Sequence, residues 1–165
     1  MKTIKKRKQQ GKTDYKARFG FLKSNLPRIA IRKTNKYIDI QYIKSENAKD
    51  KVILNVNSKE LLKNGWPKEA IGSLKSIPAA YITGFIAGKE INEKNKNARV
   101  ILDIGLQRNI HGSRIYSALK GLVDAGTNIS YDKKCFPSNE RIEGKNLSKN
   151  VQEAFTKTIK EIKSK

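Results

Sequence analysis

Between residues 27 and 56 apolar and polar side chains alternate in three successive runs, and this pattern restricts the fold more than any other feature of the chain. Residues 28–34 set Ile29 and Ile31 against Arg28, Ala30 and Arg32. Residues 37–44 set Ile38, Ile40 and Tyr42 against Tyr37, Asp39 and Gln41, and residues 51–56 contribute Val52, Leu54 and Val56. A period of two puts each apolar set on one face of an extended strand. A turn near Thr34 and Asn35 makes the first two runs a hairpin, and the third completes an antiparallel meander with one core face.

Beyond residue 57 the period changes. Residues 58–64 read as a short helix stopped by Gly65 and Pro67, because glycine suits the position after a helix and proline cannot continue the hydrogen-bond ladder. A longer helix is predicted over 77–92, with Pro78 in its first turn and Ala79, Ile82 and Ile86 on a buried stripe. Residues 98–104 form a near-continuous apolar run, the mark of a strand covered on both faces. Residues 113–125 predict a further helix, with Ile115, Leu119, Leu122 and Val123 turned inward and Gly126 as its stop. The expected fold is therefore α/β: an antiparallel meander continuing into a βα unit, a mixed sheet flanked by helices. Gly84 and Gly88, four apart in an apolar helix, suit close helix-on-sheet packing rather than membrane dimerisation, and Trp66 reads as a packing residue. The polar tail from Pro137 ends in an amphipathic helix over 150–162, whose stripe of Val151, Phe155, Ile159 and Ile162 must dock on something. This organisation divides the chain into a basic arm (1–26), an α/β domain (27–136) and a C-terminal extension (137–165).

Charge narrows the function. Lys and Arg total 36 against 15 Asp and Glu, a net charge of +21 with a sequence pI near 10.1, so the partner should be polyanionic. Residues 1–36 alone hold 13 Lys and Arg and one acid, Asp14, a net of +12. No stretch approaches the roughly 20 apolar residues of a spanning helix, and the N-terminus lacks the apolar core of a secretion signal; nucleic acid in the cytosol, and no membrane, is the expectation. One cysteine, Cys135, and one histidine, His111, leave no internal disulfide and no zinc cluster, so no cofactor or metal is expected.

Three groups of residues are candidates for the contact. In the arm, Lys2, Lys5, Lys6, Arg7, Lys8 and Lys12 can each neutralise a phosphate, at roughly 0.7 to 0.9 log units of affinity per decade of salt. The arm's first ten residues are too polar to order themselves without a partner. Next, Tyr15, Lys16 and Arg18 fall in a stretch that suits a short helix or turn; the competing reading of the whole arm is a solvated basic tail. On the hairpin, Arg28 and Arg32 beside Tyr37 and Gln41 suit RNA backbone, 2′-hydroxyls and stacked bases, against an ordinary wet sheet face. Gly112-Ser113-Arg114, following Arg108 and His111, opens a helix: free N–H groups, Ser113 as cap and the two arginines suit a phosphate, with plain helix capping as the alternative. Three antiparallel strands, a helix, a strand and a helix is also the order of a ribonuclease-H-like motif, in which Asp103 occupies a plausible metal-binding place. Two-metal hydrolysis needs several clustered carboxylates, and residues 28–34 supply none, so catalytic residues and an enzyme are not expected.

Six ordered segments carry a resemblance: "GKTDYKAR" from Gly11, "PRIAIRKTNKYI" from Pro27, "IPAAYITGFIAGK" from Ile77, "ILDIGL" from Ile101, "GSRIYSALKGLVDAG" from Gly112 and "PSNERIEG" from Pro137. In these the chain resembles the large-subunit ribosomal protein eighteen family in its archaeal and eukaryotic form, a family that binds 5S rRNA. The resemblance implies a ribonuclease-H-like topology without nuclease activity and a place in the large ribosomal subunit in the cytoplasm. It also implies a role in fastening 5S rRNA into the central protuberance beside ribosomal protein five. Carried over by position, the arm, residues 12–18, Arg28, Arg32 and Lys33 would contact 5S rRNA and adjoining large-subunit rRNA, and Gly112 to Arg114 would lie at or near RNA. A length between the bacterial and eukaryotic forms points to an archaeal type. The alternative class is a free RNA-binding or ribosome-assembly chaperone protein, which co-sedimentation in moderate salt would separate from a resident ribosomal protein.

Overall fold

The computed structural model describes residues 5–95 and 98–164. Strand β1 (Arg28–Lys33) forms the expected antiparallel hairpin with β2 (Ile38–Glu46), Ile29 opposite Tyr42 and Ile31 opposite Ile40. Strand β3 (Lys49–Asn57) follows through a tight turn in which Asn47 and Ala48 take φ of 50° and 60°, the left-handed values that match such a turn to the twist of its strands. Val52, expected in the core with Leu54 and Val56, is 49% exposed. The cause is a bulge: Tyr42 pairs with Leu54 but Ile43 with Val52, so one extra residue in β3 reverses the faces beyond it.

The chain then crosses over to β4 (Ile101–Asp103), which lies parallel to β1 and gives the order β3-β2-β1-β4. This strand is shorter than the predicted 98–104, and Ile101 and Leu102 are half-buried rather than covered on both faces, because β4 is the last named strand of the sheet. Among the described residues, only an isolated parallel bridge from Val100 to Ile129 lies beyond it.

Two helices pack on the inner face of the sheet: α3 (Ile77–Lys94), with Ser76 as N-cap and Pro78 in its first turn, and α4 (Arg114–Asp124), followed by Gly126 at φ 89°. Ile29, Ile31, Ile40, Tyr42 and Val56 meet Ala80, Ala87, Ile115, Leu119 and Leu122 in the main core. The glycines of α3 do their work between the helices and not on the sheet. A Cβ on Gly84 would stand 2.1 Å from the Ala118 carbonyl oxygen, and one on Gly121 2.1 Å from that of Tyr81. A Cβ on Gly88 would stand 2.6 Å from the Ala125 side chain. Backbone therefore touches backbone where α3 crosses α4.

A second core answers what the C-terminal stripe docks on. Leu61, Trp66, Leu74, Ile82 and Phe85 surround Val151, Phe155 and Ile162 of α6 (Lys149–Ser164), with Ile142 from α5 (Asn139–Glu143). Trp66 is 2% exposed, its Nε1 donating to the Ala70 carbonyl and to Ser73 Oγ at 3.3 and 3.2 Å, so it packs as expected. Besides α3, two short 3-10 segments contribute to this core: Ser58–Lys63, started by a capping box of Asn57 and Glu60, and Lys68–Ser73, which the sequence did not suggest. Lys89 Nζ donates to the Ile162 carbonyl at 2.5 Å, placing a cation at the negative end of α6.

Candidate nucleic-acid interface

Residues 5–10, read as lacking structure of their own, form one helical turn, α1 (Lys6–Gln9), with no buried residue. Arg7 Nε donates to Thr13 Oγ1 at 2.9 Å, and Lys5 Nζ sits 4.7 Å from the centre of the Tyr15 ring. Helix α2 (Tyr15–Ser24) starts on Asp14, the arm's acid, whose carboxylate accepts from the amides of Lys16 and Ala17 at 2.9 and 3.1 Å. Lys5, Lys6, Arg7, Lys8, Lys12 and Lys16 are exposed, and none makes an ion pair among the described residues. Lys2 lies outside the described residues.

The outer face of the sheet is organised around two aspartates. Arg28 is only 7% exposed. Its guanidinium donates to Ser45 Oγ at 2.9 Å and to Asp50 Oδ2 at 2.8 Å, with Nε 3.4 Å from Asp103 Oδ2. Arg32 donates to the Asp103 carbonyl and carboxylate at 2.8 and 3.0 Å, and Arg18 of α2 reaches Asp50 at 3.1 Å. Burial works to raise the Asp50 pKa. The hydrogen bonds from Ser45 and Arg28 and the charges of Arg28 and Arg18 outweigh it and hold the carboxyl below its ordinary value. Alternation places Arg28 and Arg32 on the outer face, as expected, and both guanidiniums are held there by carboxylates. Tyr37 is not beside Gln41 on that face. It sits ahead of β2 in the turn closed by Thr34, whose Oγ1 and amide pair with the Tyr37 backbone, and its half-buried ring packs on the second core, away from Gln41. Gln41 stays on the outer face, in a groove shared with Arg7, Lys12, Arg18 and Arg32.

Gly112, Ser113, Arg114 and Arg108 border a second, larger groove of about 840 Å³, with Lys33 at the end of β1. Gly112 takes φ 67° and stands under Arg141, whose Nη1 would lie 3.3 Å from a Cβ added there. Ser113 occupies the N-cap position of α4 but its hydroxyl makes no capping bond, which corrects the expectation that it caps. His111 is exposed and meets the Tyr116 ring edge-on at 6.3 Å. Lys75, Ser76, Arg141 and Ser148 line the same groove and were missed by the sequence reading. Ser76 before Ile77-Pro78 carries a helix-start signal, but nothing in the sequence says that this start, Arg141 and residue 113 meet.

Asp103, the acid a ribonuclease-H-like centre would draw on, is bound by Arg28, Arg32 and the Gly105 amide, the last at 2.7 Å from Oδ1. Among the described residues no three His, Cys, Asp or Glu side chains gather in a way that could hold a metal ion. No helix among them is long and apolar enough to cross a membrane. The mixed sheet, the cationic arm and the groove define a basic α/β protein built to bind a polyanion. Comparison with known proteins makes this specific. The family described as "Ribosomal large subunit proteins 60S L5, and 50S L18" matches residues 1–99 and 86–132. Similar proteins named "Large ribosomal subunit protein uL18" include one from Korarchaeum cryptofilum, 41% identical over 87% of this chain and 71% of its own length. One from Methanothrix thermoacetophila is 42% identical over 84% and 79%; another, from Aeropyrum pernix, is 38% identical over 83% of this chain and 62% of its own length. The chain belongs to this family of large-subunit ribosomal proteins. It is a structural constituent of the ribosome in the cytoplasm, and not an enzyme.

Proposed function

We propose that the chain binds 5S rRNA and helps anchor it in the central protuberance of the large subunit, next to ribosomal protein five and the adjoining large-subunit rRNA. The observation that carries this reading is the arm: six cations from Lys5 to Lys16, exposed and without ion pairs among the described residues, are held beside the outer sheet face by Arg18 on Asp50. Arg18 ties α2 to the sheet through Asp50, and Tyr15 carries the Lys5 ammonium over its ring. Gln41 and Arg32 lie on the floor beneath α2, and Lys33, Arg108, Gly112, Ser113 and Arg114 continue the surface past the ends of β1 and β4, with His111 exposed next to Gly112 in the chain. On this reading Arg28 acts through Asp50 and Asp103, fixing where Arg18 and Arg32 stand. The ordered match of sequence motifs to the 5S-binding family supports the choice of RNA. Large subunits assembled without this chain should lack 5S rRNA and regain it when the full chain is added. Subunits that keep stoichiometric 5S rRNA without the chain would contradict the proposal.

A further inference from the structure

The cations at the second groove differ from those on the outer sheet face in having no anion. Arg18, Arg28 and Arg32 share Asp50 and Asp103, whereas Lys33, Lys75, Arg108, Arg114 and Arg141 have no ion pair among the described residues. No acidic residue is among those lining the groove. Five like charges around one concavity repel one another, and an anion in the groove removes that cost. Three long helices begin at its edge: α3 after Ser76, α4 after Ser113 and α6 after Ser148, with all three serines in the lining. Each amino end brings the positive end of a helix dipole, and those of α4 and α6 also bring N–H groups without helical partners; in α3 Pro78 has no N–H and the Ala79 amide is held by Ser76 Oγ. The Ser113 hydroxyl, shielded from solvent, has no hydrogen-bond partner among the described residues, so it is a donor left for a ligand.

We infer that this groove is a phosphate-binding station for an RNA backbone, in which Lys75, Arg141, the Ser113 hydroxyl and the amino ends of α3, α4 and α6 hold successive phosphates. It rests on the RNA-binding reading above and extends the phosphate site at residues 112–114 to Lys75, Arg141 and the amino ends of α3 and α6. An RNA strand fits better than an acidic protein segment because Gln107 lines both this groove and the one under the arm, so the two cationic surfaces adjoin and an extended polyanion can follow from one to the other. No aromatic ring lines the groove, so bases are not stacked there and the contact is to backbone, independent of sequence.

The test uses the full chain carrying Lys75→Ala and Arg141→Ala, both exposed and unpaired, with Lys133→Ala/Lys134→Ala as a control of equal charge loss away from the groove. An unchanged thermal midpoint verifies the fold, and Lys75→Glu alone serves as a second variant with one altered site. Binding to 5S rRNA is measured from about 50 to about 200 mM salt. The slope of log affinity against log salt should become shallower by roughly 1.4 to 1.8 for the groove variant, two contacts at 0.7 to 0.9 each, and stay near wild type for the control. Equal slopes and affinities for groove variant and control would overturn the inference. So would a groove variant that binds RNA like wild type yet is lost from large subunits, which would assign the groove to a protein partner. A wild-type chain that does not distinguish 5S rRNA from tRNA would refute the 5S reading, while the difference in slope would still decide the groove.

Discussion

At Arg28 the alternating pattern assigns a charge to the outer face of the sheet, and the fold removes that charge from water. A buried guanidinium needs its anions at hand, and Asp50, 22 residues on, and Asp103, 75 residues on, supply them. The face of Arg28 was legible in the sequence; its partners were not, because they depend on the β2–β3 register and on the parallel docking of β4. The Asp50 carboxyl, held below its ordinary value, stabilises the fold at pH values above the usual aspartate range, and that contribution is lost as pH falls through the lowered value. Asp50→Asn should therefore lower the denaturant midpoint at pH 7, leaving Arg28 and Arg18 short of an anion. The gap between variant and wild type should close as pH drops below about 4. Midpoints that differ equally at pH 7 and pH 3 would show that the charge of Asp50 does not support the network. Tyr81 shows the opposite shift: burial, reinforced by its 2.7 Å hydrogen bond to Asp124, pushes its phenol well up and keeps it a donor.

Helices and strands were readable wherever one face alone had to be apolar. The hairpin of β1 and β2, the cores of α3 and α4 and the stripe of α6 follow from periods of two and 3.6. What period cannot show is where an element slips or what it touches. The bulge at Tyr42 and Ile43 turns Val52 out to solvent, and the amphipathic tail helix found its partner in a wall of α3, two 3-10 segments and Trp66. Gly84 and Gly88 gave the right inference, close approach, with the wrong neighbour, because α3 lies on both the sheet and α4 and only the structure says which contact is tighter. Gly84→Ala should force α3 and α4 apart against a 2.1 Å approach and cost about 2 to 3 kcal/mol, read as a fall in the denaturant midpoint. Gly20→Ala in α2, where nothing lies within 4 Å of the added carbon, should be neutral or stabilise by up to about 1 kcal/mol. Equal effects at the two sites would mean that the α3–α4 crossing is not the tight contact described.

Across the whole molecule the net charge of +21 separates into two kinds. Some arginines are internal fittings, bound to aspartates and holding α2 to the sheet. Others, on the arm and around the groove at the ends of β1 and β4, have no anion among the described residues. Composition announces the sum and places the excess at the N-terminus, but only folding separates fittings from free charge. It also brings together Lys33, Lys75, Arg108 and Arg141, which are scattered over more than a hundred residues. A polyanion partner follows from charge alone; a particular RNA requires that the free charges match one shape. The most direct test is a competition titration of the full chain with 5S rRNA and with a tRNA, at one physiological salt concentration. The expected result is a preference for 5S rRNA of at least about tenfold, roughly 1.4 kcal/mol; equal affinity for the two RNAs would mean that the chain does not recognise 5S rRNA specifically.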